Sequence, residues 1–530
     1  MIEESSTADY VIVGAGSSGA ALAGRLSENP RNEVVLLEAG PKDKDKFVHI
    51  PAAFSKLFRS ELDWDYLTEP QPGLGGRSIY WPRGKMLGGS SSMNAMMWVR
   101  GFAADYDEWA ELADDSWSFG KVVEYFRRIE NVEGAATEDA GTTGPLTVSR
   151  QRSPRSLTGA YLEAARETGF PVERANTAQP EGFSQTMVTQ RRGARWSTAD
   201  AYLVPARKRA NLTVLTEAAA TRVLFEGSAA VGVEYVRAGV RRTVRARKEV
   251  VLAGGAINTP QLLMLSGIGD EQQLRAHGIA VQRHLPEVGR NLSDHLVSML
   301  GYRVESDTLL TAEKLPELAN YLVRRRGMLT SNVGEAYGFT RSREELALPD
   351  LEMIFAPAPF FDEGLVPATE HAVILGTILL KPESRGEITL RSADHTDKPV
   401  IDPRYLSDAA GVDRRAMLEG LRVCDSLASA PALKSLLGEL VRPALTSRPP
   451  LDEVLEAALE RTSHTLYHPT GTCRMGKDAA SVVDPQLRVR GVDRLRVADA
   501  SIMPTIIRGH THAPCVVIGE RAADLIAASN

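Results

Sequence analysis

The apolar positions of the N-terminal stretch fall into two short runs separated by glycine. Tyr10 to Val13 reads as a buried strand, GAGSSG (14–19) as a turn, and Ala20 to Leu26 as a helix of small apolar residues. EVVLLEAG (33–40) supplies a second strand. From about residue 42 to 125 the chain is rich in glycine, proline and tryptophan, which predicts irregular structure. Residues 145–190 and about 300–455 have another texture, mixing alternating strands such as GEITLRSA with charged helical patterns such as LDEVLEAALERT. Between them, KEVVLAGGAINTPQLLMLSGIG (248–269) repeats the strand–glycine–helix pattern, and the last segment returns to the glycine-broken, apolar style of the first. The pattern predicts an α/β nucleotide-binding domain assembled from 1–145, 191–300 and 456–530. The α+β domain inserted into it takes 146–190 and 301–455, mostly antiparallel sheet with helices.

Composition narrows the partners. A chain of 530 residues with 43% hydrophobic and 25% charged residues is long enough for two or three packed domains. Its 62 basic and 68 acidic residues are spread along the chain with no long single-sign block, which argues against nucleic acid or an anionic membrane as the main partner. The run Arg324, Arg325, Arg326 is expected to be solvated helix surface. Cys424, Cys473 and Cys515 form neither a metal spacing nor a disulfide framework, so no metal site is expected. The N-terminus lacks a basic region followed by an apolar stretch, and HAVILGTILL reaches about half a membrane span. A cytoplasmic protein with no membrane span is the expectation; the sequence is silent on oligomeric state.

Gly14, Gly16 and Gly19 match G-x-G-x-x-G between a strand and a helix. In that motif the first glycine permits the tight turn, the second lets backbone approach a pyrophosphate, and the third allows close helix–strand packing. Glu38 ends the next strand, where an acidic side chain can bind ribose hydroxyls, and a carboxylate there argues against NADP. The fingerprint accommodates NAD and FAD equally.

Six matches, the glycine turn among them, carry a resemblance. GAGSSGAALAGRLSENP with LLEAG, RGKMLGGSSSMNAMMWVRG, VVLAGGAINTPQLLMLSGIG, VGRNLSDH, HPTGTCRMG, and GVDRLRVADASIMPT with GERAADLI occur in this order. Over essentially its whole length the chain resembles the glucose–methanol–choline (GMC) family of FAD oxidoreductases. The resemblance implies a Rossmann-type FAD-binding domain and an inserted substrate-binding domain. It implies that Gly14, Gly16, Ser17, Ser18 and Gly19 hold the pyrophosphate and that Glu38 and Ala39 meet the adenosine ribose. Gly88, Gly89, Ser90, Asn94, Ala95, Met96 and Met97 would lie along pyrophosphate and isoalloxazine. Val223 would meet the adenine through its backbone, and Asp499 and Ala500 the ribityl–pyrophosphate region. Tyr467, Thr511 and His512 complete the expected cofactor shell. Met93 stands where some choline oxidases carry a histidine joined to flavin, so FAD is expected to be noncovalent.

Oxidising an alcohol removes a hydroxyl proton and a hydride from the same carbon; FAD accepts the hydride at N5 and the protein supplies the base. His468, in a loop broken by Pro469 and Gly471, is the expected base because a neutral imidazole titrates near neutrality. His510 is the expected partner that hydrogen-bonds the substrate oxygen. His464 and His512 are close enough in sequence to matter; His49, His277, His284, His295, His371 and His395 are read as structural. The implied reaction is oxidation of a primary alcohol, aromatic or aliphatic, to the aldehyde, with O2 or another electron acceptor. The alternatives are a choline- or polyol-type dehydrogenase using a carrier and a non-redox lyase of the same family. Glu335 and Tyr337 are candidates to hold a quaternary ammonium, and Phe355, Phe360 and Phe361 to form an apolar lid over the substrate.

Overall fold

The computed structural model describes residues 3–134, 139–447 and 449–529. Two seven-stranded sheets organise it. In the first, Leu212–Leu215, Val34–Leu37, Glu3–Val13, Val240–Leu252 and Leu495–Val497 run parallel, in that spatial order. Ala229–Arg237 and Ala218–Glu226 extend it antiparallel from Val240–Leu252. Val34–Leu37 is apolar on both faces and buried throughout, and so are residues 11–13 and 250–252 at the carboxyl ends of their longer strands, as burial between helices demands. One covering helix is Ser17–Leu26 and the other is the C-terminal helix His512–Ala528. They touch at backbone distance, because a Cβ at Gly519 would overlap the Ser18 carbonyl, and Ser18 Oγ donates to the Cys515 carbonyl at 2.7 Å. The head and tail of the chain thus form one unit.

The second sheet is antiparallel throughout, in the order Leu437–Arg442, Leu296–Val304, Ala372–Leu379, Leu351–Ala356, Ala336–Thr340, Gly182–Gln185. His464–Thr465 pairs with the start of Leu296–Val304. One face is covered by Val412–Ser429, whose Gly420 leaves room for the Thr377 side chain, and Tyr161 of Ser156–Glu167 stacks on Phe355 at 4.7 Å. Leu296–Val304 straddles the expected boundary at 300, and His464–Thr465 lies wholly within the expected 456–530 segment, so both strands enter the second sheet from segments assigned to the nucleotide-binding part.

The stretch expected to be irregular to residue 125 contains two helices, Ala103–Leu112 and Phe119–Ile129. The second buries Val122, Val123, Phe126 and Ile129, a helical spacing hidden by the surrounding tryptophans and glycines. Among the described residues no helix is long and apolar enough to cross a membrane.

Candidate active site

A cleft of about 660 Å³ opens between the two sheets. Val13, Leu37 and Leu252, at the carboxyl ends of parallel strands, line one part, where ligands of open α/β sheets bind. Val297, Met299, Ile354, Ala356 and Ile374 of the antiparallel sheet line the other.

The glycine turn divides its labour as the fingerprint predicts. Gly14 has φ +99° and a Cβ there would overlap the Ala253 carbonyl oxygen. A Cβ at Gly19 would overlap the Gly14 oxygen, so Gly19 packs helix on strand and does not face the cleft. A Cβ at Gly16 would meet no protein atom within 4 Å; this residue lines open space. Ser17, Ser18, Glu38 and Ala39 line it too. Burial pushes the Glu38 carboxyl up to about 7 even though Ala15 N and Gly40 N each donate to it at 2.9 Å.

Gly89, Ser90, Asn94, Ala95, Met96 and Met97 line the opposite wall. Gly88 lies behind them in the left-handed conformation (φ +85°), where it starts the turn through Ser92. Sequence reasoning missed what props this wall. Arg195, buried, donates to Val48 O, Ser91 O and Asn94 Oδ1 at 2.7, 3.1 and 2.8 Å, and burial pushes it down to about 9. Arg83 and Lys85 also line the cleft, bringing positive charge that suits phosphate. Val223 does not line it: its N–H is donated to Ser266 Oγ at 2.9 Å, and Ala218, Ala219 and Ala220 of the same strand form the wall instead. Asp499 and Ala500 line the cleft, the carboxylate accepting from Gly255 N, Thr259 Oγ1 and Ser501 N.

The histidines converge at the inner end. His468, His510, His512, Thr511 and Tyr467 all line the cleft, and the rings of His468 and His510 lie 4.8 Å apart. His468 N donates to Asp294 Oδ1 at 2.8 Å; Asp294 also accepts from Thr465 Oγ1 and Tyr405 OH, which pins the loop. His295, expected to be structural, is in contact with the site: its Nδ1 lies 2.9 Å from His468 Nδ1, and its Nε2 lies 3.1 Å from the Leu380 carbonyl. A carbonyl only accepts, so His295 carries its proton on Nε2. Its bare Nδ1 then accepts from His468 Nδ1–H, leaving His468 Nε2 with a free lone pair. Burial, reinforced by His510 and His295, holds His468 well below its ordinary range and keeps that lone pair available. On His510, Nε2 lies 3.0 Å from buried Glu352 Oε1, a contact that fixes the orientation of the ring. His512 Nδ1 bonds Ser17 Oγ at 2.9 Å, while its Nε2 is buried without a protein partner.

Of the other expected residues, Phe360 lines the cleft, but Phe361 packs under Arg442 and against Gly301. Phe355 is core, stacked on Tyr161. Glu335 is fully buried away from the cleft, accepting from Ser331 Oγ, Thr158 Oγ1 and Arg155 N, and Tyr337 packs on Phe339. His464 and His395 line the cleft, whereas His49 and His371 serve local contacts to Asp43 O and Thr308 Oγ1. Among the described residues no cluster of His, Cys, Asp or Glu is arranged to hold a metal.

These rings set an acid stability limit. His295 and His512 are each pushed by burial from 6.5 down to about 3. In the unfolded chain they take up protons near pH 6.5, but in the folded state they stay neutral until about pH 3, so acid favours unfolding throughout that window. The melting temperature should be insensitive to these groups above pH 6.5 and fall below it. In His512→Asn that fall should be shallower; an unchanged slope would contradict the assignment.

The fold and its cleft define a dinucleotide-type enzyme with a histidine pair. Two family profiles described as GMC oxidoreductase match residues 8–297 and 382–519. A Mycobacterium tuberculosis protein named an uncharacterized GMC-type oxidoreductase is 66% identical over 98% of this chain and 99% of its own. An alcohol dehydrogenase [acceptor] of Pseudomonas putida is 43% identical over 98% of this chain and 95% of its own. The crystal structure of pyridoxine 4-oxidase from Mesorbium loti superposes with a TM-score of 0.88 at 32% identity, covering 98% of each chain. The chain belongs to the GMC oxidoreductase family.

Proposed function

We propose that this protein is an FAD-dependent oxidoreductase that converts an uncharged, largely apolar primary alcohol to its aldehyde. The convergence of His468 and His510 at the inner end of a cleft that begins at the Gly14–Gly19 turn carries this reading. The residues present fit the cofactor: Gly16 leaves space where a pyrophosphate would pass, and the buried His512 Nε2 lacks a protein partner. Glu38 and Ala39 would hold its ribose, Gly89 and Ser90 its phosphates, and Asn94 to Met97 its ring system. Bound FAD would supply the hydride acceptor. Met93 lines the cleft with a thioether that cannot bond covalently to flavin, in keeping with noncovalent binding.

His468 Nε2 takes the hydroxyl proton, with His295 holding the required tautomer. His510, its ring held by Glu352, hydrogen-bonds the oxygen as alkoxide character develops. Apolar side chains surround them: Phe54, Phe58, Met299, Ile354 and Phe360. The carboxylates lining the cleft, Glu38 and Asp499, are already engaged by backbone and hydroxyl donors. A quaternary ammonium would therefore lack a counter-ion, which favours alcohols over choline. The two electrons pass to O2 or another acceptor, the latter in line with the name of the Pseudomonas putida relative.

Anaerobic mixing with an alcohol panel tests the reading. Aliphatic and aromatic primary alcohols should bleach the flavin, choline should do so poorly, and acid precipitation should release the flavin into solution. Preferential bleaching by choline would overturn the substrate class, and cyanohydrin cleavage without bleaching would indicate the lyase.

A further inference from the structure

Helix Leu315–Arg324 is apolar on two sides. Its inner side buries Tyr321, with Leu318 half-buried beside it. On its outer side Leu315, Ala319, Leu322 and Val323, spaced i, i+4, i+7, i+8, form an exposed stripe; Leu315, Leu322 and Val323 are 79, 62 and 82% exposed. Three exposed arginines, Arg324 to Arg326, close the helix. The turn at Gly193 abuts the Arg325 carbonyl, 2.6 Å from its Cβ position, with the Arg152 side chain beside it; the same turn carries exposed Arg192 and Arg191, the latter over the Trp196 ring. None of these six arginines has a carboxylate partner among the described residues. In a chain of net charge −6, this is a strong local concentration of positive charge beside exposed leucine and valine.

We propose that this surface docks on a lipid bilayer containing anionic phospholipid, the helix lying along the interface with its stripe in the acyl boundary and the arginines at the headgroups. Nucleic acid would match the charge but not the apolar stripe. A second copy meeting this patch across a twofold axis would face six arginines with six arginines. The helix packs behind a segment that lines the cleft. Tyr321 OH donates to the His49 carbonyl, Lys56 pairs with Glu313 at 2.7 Å, and the intervening 51–57 segment carries Phe54 into the cleft. Docking this way sets the apolar part of the cleft beside the bilayer, where an apolar alcohol concentrates.

Flotation of the flavin-loaded full chain with vesicles tests this. The protein should float with vesicles containing phosphatidylglycerol, stay behind with phosphatidylcholine alone, and be released by raised salt. Arg324→Glu with Arg326→Glu should lower the bound fraction by on the order of tenfold or more, since each basic residue near an anionic surface contributes several-fold. Leu322→Asp with Val323→Asp should do the same. Both variants should keep wild-type flavin absorbance and activity on a water-soluble alcohol, which shows that they fold. Three results overturn the proposal. They are no flotation with phosphatidylglycerol vesicles, flotation that survives both variants, or a loss of dimer in the variants with no vesicle binding by wild type.

Discussion

Replacing His468 by alanine should slow reduction of the bound flavin by alcohol by about 10²–10⁴-fold, the usual worth of a positioned general base. The variant should remain yellow, because among the cleft contacts His468 is held from its backbone through Asp294 and carries no part of the glycine turn. Stopped-flow reduction under anaerobic conditions measures the step directly. His295→Phe supplies the matching control. It leaves the base in place but removes the acceptor that orients its Nδ1 proton. The rate should fall less than in His468→Ala, and the pH dependence of the remaining rate should change because the ring is free to switch tautomer. Wild-type reduction by His468→Ala would end the assignment.

The second large effect separates packing from cofactor binding within one motif. Gly19→Ala puts a methyl group into the Gly14 carbonyl, so helix Ser17–Leu26 must leave the sheet and the protein should fail to accumulate as a folded species. Gly16→Ala places its methyl where no protein atom stands within 4 Å. It should therefore fold with wild-type circular dichroism yet be purified largely colourless, because the methyl occupies the space that a pyrophosphate needs. A yellow, fully loaded Gly16→Ala protein would remove the cofactor from this turn. If both variants failed to fold, Gly16 would be a packing residue like its neighbour.

The glycine turn proposed to hold the nucleotide was legible because its requirements are local. Strand, Gly14, Gly16, Gly19 and Glu38 lie within a single βαβ-like stretch, and each glycine answers to a constraint from its immediate neighbours. His468 and His510 were legible through the motifs around them. The partners of those two histidines were not. His295 lies 173 residues before His468, and Glu352 lies 158 residues before His510; each sits on or beside a strand of the second sheet. Nothing in their local pattern separates them from a buried histidine or a half-buried strand glutamate. The same limit explains the wall residue. Val223 and Ala218 to Ala220 share one strand, and which of them faces the cleft depends on how that strand ends against its neighbours.

Order along the chain thus carried the fold class, the glycine turn proposed for the cofactor and the two imidazoles proposed for the chemistry, since hydrophobic period and glycine placement act over a few residues. Protonation and orientation came from elsewhere. Which nitrogen of His468 is bare follows from one carbonyl, Leu380 O, presented by the antiparallel sheet. Whether an exposed run of arginines is ordinary solvated surface or part of a patch follows from a hairpin turn packed beside it. Both are contacts between segments distant in the chain, made when the sheets and their connections pack together.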